Sequence, residues 1–373
     1  MVLVRVFTDM NQPQSFVTLL GTGQYARDSA PYKLLEVAGP DAGEFLHRLC
    51  SQDVRGLKEG DLVPAAFLDA KGKLQATVLV FRYGESFWLE IQAEQAERLQ
   101  ALLERYHFTE KLAIHGRDLG PVAEHIDGHG SANFVGRSRW REQAQAVVVH
   151  VERRGAAFTR CHGGALTEAD VEKARGGGLE ASDVVVSVVA ASVVAASVAA
   201  ASVVAASGAT GAGVAVAGAA APGGLAAVAA QPMPEEIAEA ARMLAGFVRI
   251  GIETEASTLA LEADLDDHCS TSKGCYTGQE IVARIHTYGH VNRKLCLLRL
   301  PSGDPIDAPV ALHETEDDIP VGRVMHAIPL VKNDMRLGLG YLPKDFQAIG
   351  TKLTLAGNGE VEVIGFAADP AKS

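Results

Sequence analysis

The sequence lacks the features that define several large functional classes. Its 34 Lys and Arg residues are outnumbered by 46 Asp and Glu residues, which gives 34 − 46 = −12 at neutral pH. Because non-specific nucleic-acid affinity comes from clustered basic side chains, this balance argues against direct nucleic-acid binding. The five cysteines are odd in number and have no paired spacing. They suit a reducing compartment better than a disulfide-bonded secreted protein.

Motifs of common enzyme classes are missing as well. The sequence contains no Walker phosphate loop, dinucleotide fingerprint or Ser-centred nucleophile elbow. The first apolar run, Met1–Phe7, is short and is broken by Arg5, so it does not predict a secretory leader. From the length and these absences we expect a cytoplasmic protein of two or three domains.

One long segment has almost no chemistry. Residues 184–230 consist almost entirely of Ala, Val, Ser and Gly, and serine recurs every five residues from Ser182 to Ser207. A period of five matches neither a helix nor a strand. The segment is long and uncharged, but its valines supply only about −3 kcal/mol of insertion free energy and serines oppose them. We therefore expect no membrane partner and interpret residues 170–231 as a low-complexity insertion.

Upstream of the insertion, strands alternate with helices. Asp41 is a plausible N-cap for a helix with Phe45, Leu46 and Leu49 on one stripe, and a second apolar stripe runs from Ala93 to Tyr106. The predicted strands are Lys33–Val37, Leu62–Leu68, Leu74–Arg82, Phe87–Ile91 and Lys111–Ile114. This order predicts an α+β fold of the split-βαβ type, an antiparallel sheet with two helices on one face. The segment Arg160–Gly164 holds a second thiol in what we interpret as a loop.

Downstream of the insertion the pattern changes. Pro234–Val248 is amphipathic and predicts a helix with Pro234 in its first turn. Six short apolar runs between turn residues then predict a small C-terminal β-barrel or sandwich. These runs are Lys294–Leu300, Val310–His313, Val321–Ala327, Leu337–Tyr341, Lys352–Leu355 and Val361–Ile364.

The segment Lys273-Gly-Cys-Tyr-Thr-Gly-Gln-Glu280 stands apart from the rest of the chain. Thr277 and Glu280 have capping-box spacing, so Cys275 is expected in a turn that leads into a helix N-terminus. The positive end of the helix and the Lys273 ammonium would both favour thiolate over thiol, which makes Cys275 the best candidate for a reactive cysteine. A buried, unreactive cysteine at a tight turn is the alternative.

This octapeptide resembles the signature of the YgfZ family, folate-binding relatives of the glycine-cleavage T protein, an aminomethyltransferase. The stretches Gly39–Leu46, Gln52–Val54, Lys71–Lys73 and Phe247–Gly251 are similar to further parts of that family. The resemblance implies a folate-binding module of antiparallel-sheet lobes over residues 1–169 and 232–290. The insertion 170–231 lies within this module, and a C-terminal β-barrel domain over 291–373 follows it.

The resemblance also implies a function and a site. The protein would be a tetrahydrofolate-binding accessory protein that supports iron–sulfur cluster assembly or repair, including enzymes of tRNA modification. Its partners would be a reduced folate and iron–sulfur enzymes or assembly factors. Cys275 would be the functional cysteine, and no metal ligands are implied. The residues carried over for cofactor binding are Lys273, Gly274, Tyr276, Gly278, Gln279, Glu280, Arg284 and, before the signature, Arg249.

Two departures from the related pattern matter. The T protein has acidic residues after its hairpin glycine, whereas Gly72–Val78 contains no carboxylate, so we predict no aminomethyl transfer. Gly251–Glu255 also differs from the Pro and Gly that are common in the family. A folate-dependent one-carbon transferase remains the alternative function. A third possibility is an adaptor with a structural thiol or a zinc ion on Cys269, Cys275, His286 and His290.

Overall fold

The computed structural model describes residues 19–20, 23–141, 145–164, 166–176, 230–288, 291–314, 319–330, 333–355 and 359–366. The repeat region 184–229 and His290 lie outside these residues. The helices are α1 (Ala42–Leu49), α2 (Ala96–Tyr106), α3 (Glu168–Gly176), α4 (Glu235–Leu244) and α5 (Gln279–Tyr288). The strands are β1 (Tyr25–Arg27), β2 (Tyr32–Ala38), β3 (Leu62–Leu68), β4 (Leu74–Tyr83), β5 (Ser86–Gln92), β6 (Ala113–Arg117), β7 (Val122–Asp127), β8 (Val135–Arg141), β9 (Ala146–Arg153), β10 (Ala156–His162), β11 (Gln231–Pro232), β12 (Arg293–Pro301), β13 (Val310–His313), β14 (Gly322–Leu330), β15 (Met335–Pro343), β16 (Lys352–Leu355) and β17 (Glu360–Phe366).

The first sheet is the predicted split-βαβ unit. Its strands pair in the order β3-β4-β5-β2-β6, and every pair is antiparallel. Helices α1 and α2 share one core cluster with the sheet, through Phe45 and Leu46 from α1 and Leu99 and Leu103 from α2. Both helices therefore lie on the same face. Asp41 occupies the N-cap position of α1, but its carboxylate accepts from the Lys111 backbone N–H at 2.6 Å and makes no capping bond.

A second sheet of six strands was missed at the sequence level. Its order is β11-β1-β7-β10-β9-β8, and it packs against the first sheet and α4. The prediction of a loop at Arg160–Gly164 is wrong, because Arg160, Cys161 and His162 lie in β10 and are buried. Strand β10 shows no apolar alternation, because Arg160 is buried in it like its apolar neighbours. Arg160 donates to both carboxylate oxygens of Glu90, in the first sheet. This buried ion pair lies between the two sheets, in addition to their apolar contacts.

Helix α4 is shorter than predicted. It ends at Leu244 because Gly246 adopts a φ of +71°, and Val248 lies beyond it although it is still buried. Pro234 occupies the N-cap position. Helix α3 and strand β11 are the described elements that flank the repeat region. No helix among the described residues is both long and apolar enough to cross a bilayer.

The last six strands close into a barrel in the order β12-β15-β14-β13-β16-β17. Its interior is filled by residues such as Leu298, Leu312 and Val363. Its outer surface joins a further core cluster that contains Met243 of α4 and Tyr276 of the signature segment. The barrel is thereby fixed to the part of the chain that holds the signature.

The β3–β4 hairpin and α5 approach each other closely at a glycine. Gly72 has a φ of +73°, and a Cβ atom built on it would lie 2.8 Å from Cβ of Ile281. Gly84, in the β4–β5 turn, also has a positive φ (+57°), but a Cβ atom there would meet nothing within 4 Å. The two glycines therefore separate the cost of backbone conformation from the cost of steric overlap.

We predict different losses of stability for Gly84→Ala and Gly72→Ala. Gly84→Ala should lower the free energy of unfolding by about 1–2 kcal/mol, the cost of a left-handed alanine. Gly72→Ala should cost about 1–3 kcal/mol more, because it also forces side chains apart. Urea unfolding of both variants measures the difference. Equal losses would contradict the contact between the hairpin and α5.

Candidate functional site

The signature segment forms an exposed loop that leads into α5. Cys275 is the only exposed member of the five cysteines, all of which are described. Gly274 beside it is also exposed, whereas Lys273 and Tyr276 on either side are buried. The helix begins at Gln279, after Gly278 with a φ of +84°. The loop thus presents one accessible thiol between two buried anchors.

Lys273 anchors the loop to the end of α1. Its Nζ donates to three backbone carbonyl oxygens, those of His47 at 2.6 Å, Cys50 at 2.7 Å and Gln52 at 2.8 Å. The first two belong to the C-terminal turn of α1 and its cap, where helix carbonyls lack intrahelical partners and attract cations. Burial lowers the pKa of Lys273, and the nearby Cys50 and Asp53 oppose that effect. The ammonium that was expected to act on Cys275 is therefore fully engaged by the backbone.

Three further signature residues also have packing contacts. The Tyr276 ring lies 4.8 Å from Lys273 Nζ, and its hydroxyl donates to Ser270 O at 3.4 Å. Burial raises the pKa of Tyr276. Gln279 Nε2 donates to Lys273 O at 3.4 Å. A Cβ atom at Gly278 would lie 2.7 Å from the Asp69 carbonyl oxygen in the hairpin, so only glycine fits there.

Not all of the predicted site residues come together. Glu280 and Arg284 are exposed on α5. Arg249 belongs to a different part of the structure: its Nη2 lies 3.2 Å from Glu239, and its backbone N–H donates to Glu253 at 2.6 Å. Within the described chain, no hydrogen bond or ion pair connects Arg249 with residues 273–284.

Arg249 lines a polar cavity of about 190 Å³ between the two sheets and α4. Its Nε atom is buried and has no hydrogen-bond partner among the described residues. Tyr32 and Phe158 supply aromatic surface to the cavity, and Arg160 lies over the Tyr32 ring at 4.2 Å. The remaining lining residues are Arg27, Pro31, Gln92, Glu94, Glu124, Glu235, Ala238, Glu239 and Arg242.

The wall of this cavity is a network of ion pairs. Arg242 Nη2 donates to Glu239 at 2.6 Å and to Glu253 at 2.5 Å, and His326 of the barrel lies 3.2 Å from Glu239. Burial opposes ionisation of Glu239, but Arg242, His326 and Arg249 outweigh it and hold its pKa well below the usual value. Glu239 is therefore ionised, and Arg242 pairs with both carboxylates.

Two of these carboxylates and His326 also form the group of candidate metal ligands found among the described residues. Glu239, Glu253 and His326 bring one candidate ligand atom each within 4.8 Å of the others, but Arg242 already pairs with both carboxylates. Among the described residues, Cys269, Cys275 and His286 of the proposed zinc site do not form such a group. Cys269 is buried, Cys275 and His286 are exposed, and His290 lies outside the description.

Several cavity residues were missed at the sequence level. Arg242 is a charged residue in an apolar stretch of α4, and it is 5% exposed. A charge at such a position predicts a buried partner, so this signal was available. Tyr32 and Arg27 gave no such signal, because their surroundings depend on strands β7 and β10 far along the chain.

Comparisons with known proteins found three relatives in sequence and a solved structure of similar fold. No family model matches the chain. A chloroplastic protein of Arabidopsis thaliana, provisionally named a transferase, is 31% identical over 131 residues, which cover 35% of this chain and 29% of that protein. The mitochondrial iron–sulfur cluster assembly factor IBA57 homologue of Pyricularia oryzae is 30% identical over 92 residues, 24% of this chain and 23% of that protein. The tRNA-modifying protein YgfZ of Cronobacter sakazakii is 31% identical over 88 residues, 23% of this chain and 26% of that protein.

These matches span less than a third of the length of each relative. Among solved structures, the glycine cleavage system aminomethyltransferase T of Bartonella henselae has a similar fold. The TM-score is 0.62, with 16% sequence identity over 92% of this chain and 86% of that chain. At that identity the likeness establishes the fold alone.

The Lys273 contacts predict a large effect of removing its charge. Lys273→Met keeps the length of the side chain but leaves three carbonyl groups without their donor. We expect a loss of about 2–4 kcal/mol in the free energy of unfolding. Lys71→Met, at an exposed lysine of the β3–β4 turn, should change it by less than about 0.5 kcal/mol. Similar unfolding midpoints for the two variants would contradict the anchoring role.

Proposed function

The chain is related in sequence to YgfZ and IBA57 and has the fold of the T protein, and from this premise we propose that it binds a reduced folate and supports iron–sulfur proteins. The observation that carries the proposal is the cavity at Arg249, a predicted folate-binding residue that lines a partly enclosed space. Cys275, the accessible thiol, is the proposed functional cysteine.

The lining of the cavity suits the ring of a folate. Tyr32 and Phe158 offer apolar surface to a flat ring, whereas Glu124 and Glu239 in the lining are already paired with arginines. The unpartnered Nε of Arg249 offers a donor that the protein itself leaves unused. A volume of about 190 Å³ is smaller than the ~300–1,000 Å³ of typical ligand sites. The cavity would therefore hold the ring while the rest of the folate extends outward.

A larger groove on the barrel supports folate binding less well. It has a volume of about 500 Å³ and is lined by Arg293, Arg323 and Tyr341 among others. Both arginines already pair with Glu255, at 3.6 Å and 2.7 Å. None of the residues carried over for cofactor binding is among its lining residues.

A bound folate would supply a carrier for one-carbon units, but transfer requires an acid near its reacting nitrogen. In the β3–β4 hairpin the nearest carboxylate in sequence, Asp69, precedes Gly72 and accepts from the backbone N–H groups of Lys71 and Lys73, both at 2.8 Å. These hydrogen bonds stabilise the turn. The engagement of Asp69 favours an accessory role. The alternative is a folate-dependent aminomethyltransferase, which the shared T-protein fold supports.

The proposed clients are iron–sulfur enzymes or assembly factors, including those that modify tRNA. Two relatives carry these roles in their names. A cytoplasmic location stays a prediction, since two relatives are named as chloroplastic and mitochondrial.

Calorimetric titration with tetrahydrofolate tests the proposal. We expect wild type and Cys275→Ala to bind alike, because the thiol lies outside the cavity. Arg249→Met should weaken binding at least about tenfold, or about 1.4 kcal/mol, through loss of the free donor. Arg105→Met, on the exposed face of α2, is the matched control and should bind as wild type does.

Two outcomes would change the proposal. Absence of binding by folded wild-type protein would refute folate binding and favour the adaptor function. Loss of affinity in Arg284→Met, with Arg249→Met unaffected, would move the folate from the cavity to the exposed side of α5.

A further inference from the structure

His47 is a buried histidine whose ring nitrogens are not accounted for by the fold. It lies in the last turn of α1, and its side chain is 5% exposed. Nδ1 lies 3.1 Å from Oδ1 of Asp53, an ion-pair distance. Both ring nitrogens are buried, and neither makes a hydrogen bond among the described residues. Leaving buried polar atoms unsatisfied is costly, so their retention calls for an explanation.

The unpartnered nitrogen faces the signature loop. A Cβ atom built on Gly274 would lie 3.9 Å from His47 Nε2 and within 4 Å of no other atom outside the adjoining residues. Gly274 is exposed and directly precedes Cys275. The glycine at position 274 therefore places no side chain between Nε2 and the loop that carries the thiol. Lys273, which carries the loop, also donates to the carbonyl oxygen of His47 itself.

We propose that His47 is the acid–base partner of the Cys275 thiol and that Asp53 positions its ring. The proton of Cys275 passes from Sγ to Nε2: the S–H bond breaks, an N–H bond forms, and a thiolate and an imidazolium result. Asp53, whose Oδ1 lies 3.1 Å from Nδ1, balances the new positive charge. The inference deepens the proposed function, because it rests on Cys275 being the functional thiol.

Charges of both signs surround the ring. Burial lowers the pKa of His47, and the cations Lys273 and Arg55 act in the same direction, whereas Asp53 and Glu44 oppose them. The free ring is therefore a neutral acceptor, and the imidazolium is favoured by Asp53, Glu44 and the thiolate formed beside it. A thiolate formed beside it would react with soft electrophiles, the substrate class to which thiolates are best suited.

Alkylation by iodoacetamide tests the proposal, because Cys275 is the one exposed cysteine of the chain. The rate would be measured by intact mass between about pH 5 and pH 10, which spans the ordinary His and Cys pKa values. Cys275→Ser gives the background from the buried thiols. We expect the wild-type protein to be alkylated faster at pH 7 than a variant that lacks the histidine.

Substitutions at the two partners should shift this profile. His47→Gln should slow alkylation at pH 7 at least about tenfold, because the neighbouring base is lost. Asp53→Asn, at a half-exposed residue that does not threaten the core, should shift the profile in the same direction by less. His115→Gln, at an exposed histidine of β6, is the matched control and should leave it unchanged.

Identical profiles for wild type, His47→Gln and Asp53→Asn would overturn the inference. Because Asp53→Asn retains the buried ring, unfolding of His47→Gln alone would not decide the matter. Titration of the same variants with tetrahydrofolate separates the two proposals. Folate binding without a histidine effect would refute only the acid–base pair, and a histidine effect without folate binding would refute only the folate proposal.

Discussion

The position of the signature loop depends on the buried ammonium of Lys273. Removing an ammonium group from water costs several kcal/mol unless its hydrogen bonds are replaced. Here three carbonyl oxygens at the end of α1 replace them, at distances of 2.6–2.8 Å. Because those carbonyls lack partners in the helix itself, lysine and helix end satisfy each other. The buried Lys273 thus fixes one end of the loop, and Cys275, two residues further on, is exposed.

The glycines of the hairpin and the signature complete this arrangement. Gly278 lies against the Asp69 carbonyl oxygen, and Gly72 lies against Ile281 at the start of α5. The backbones of two segments about 200 residues apart thus meet without side chains between them. The residue types in the signature therefore reflect two demands: contacts that fix the loop at Lys273, Tyr276 and Gly278, and access at Gly274 and Cys275.

The sequence predicted those parts of the fold in which apolar periodicity reports local structure. The hairpin Leu62–Tyr83 and the C-terminal strands were found in this way. The second sheet was missed because its buried polar residues have their partners on other strands. Arg160 pairs with Glu90, 70 residues earlier in the chain. The Thr159 hydroxyl and His150 Nδ1 form a hydrogen bond of 2.8 Å. Such pairings leave no periodic trace.

The surroundings of the site also depend on distant residues. The turn before a helix was predicted correctly for Cys275, since that depends on its immediate neighbours. The expectation that the Lys273 ammonium favours the thiolate rested on nearness in sequence and stays a prediction. The carbonyl groups that bind this ammonium, and the His47 imidazole beside the loop, come from residues more than 220 positions earlier. No pattern in the sequence connects the two.

The separation of Arg249 from Cys275 bears on the choice between carrier and catalyst. A transferase needs its folate nitrogen, an acid and the acceptor within bonding reach of one another. Here the cavity carboxylate Glu239 is neutralised by Arg242, and the accessible thiol lies on a loop outside the cavity. The two parts share a core cluster, through Ile250 beside Arg249 and Tyr276 beside Cys275, but they do not share a pocket. Such an arrangement favours a protein that holds a folate and offers a thiol over one that moves a carbon between them.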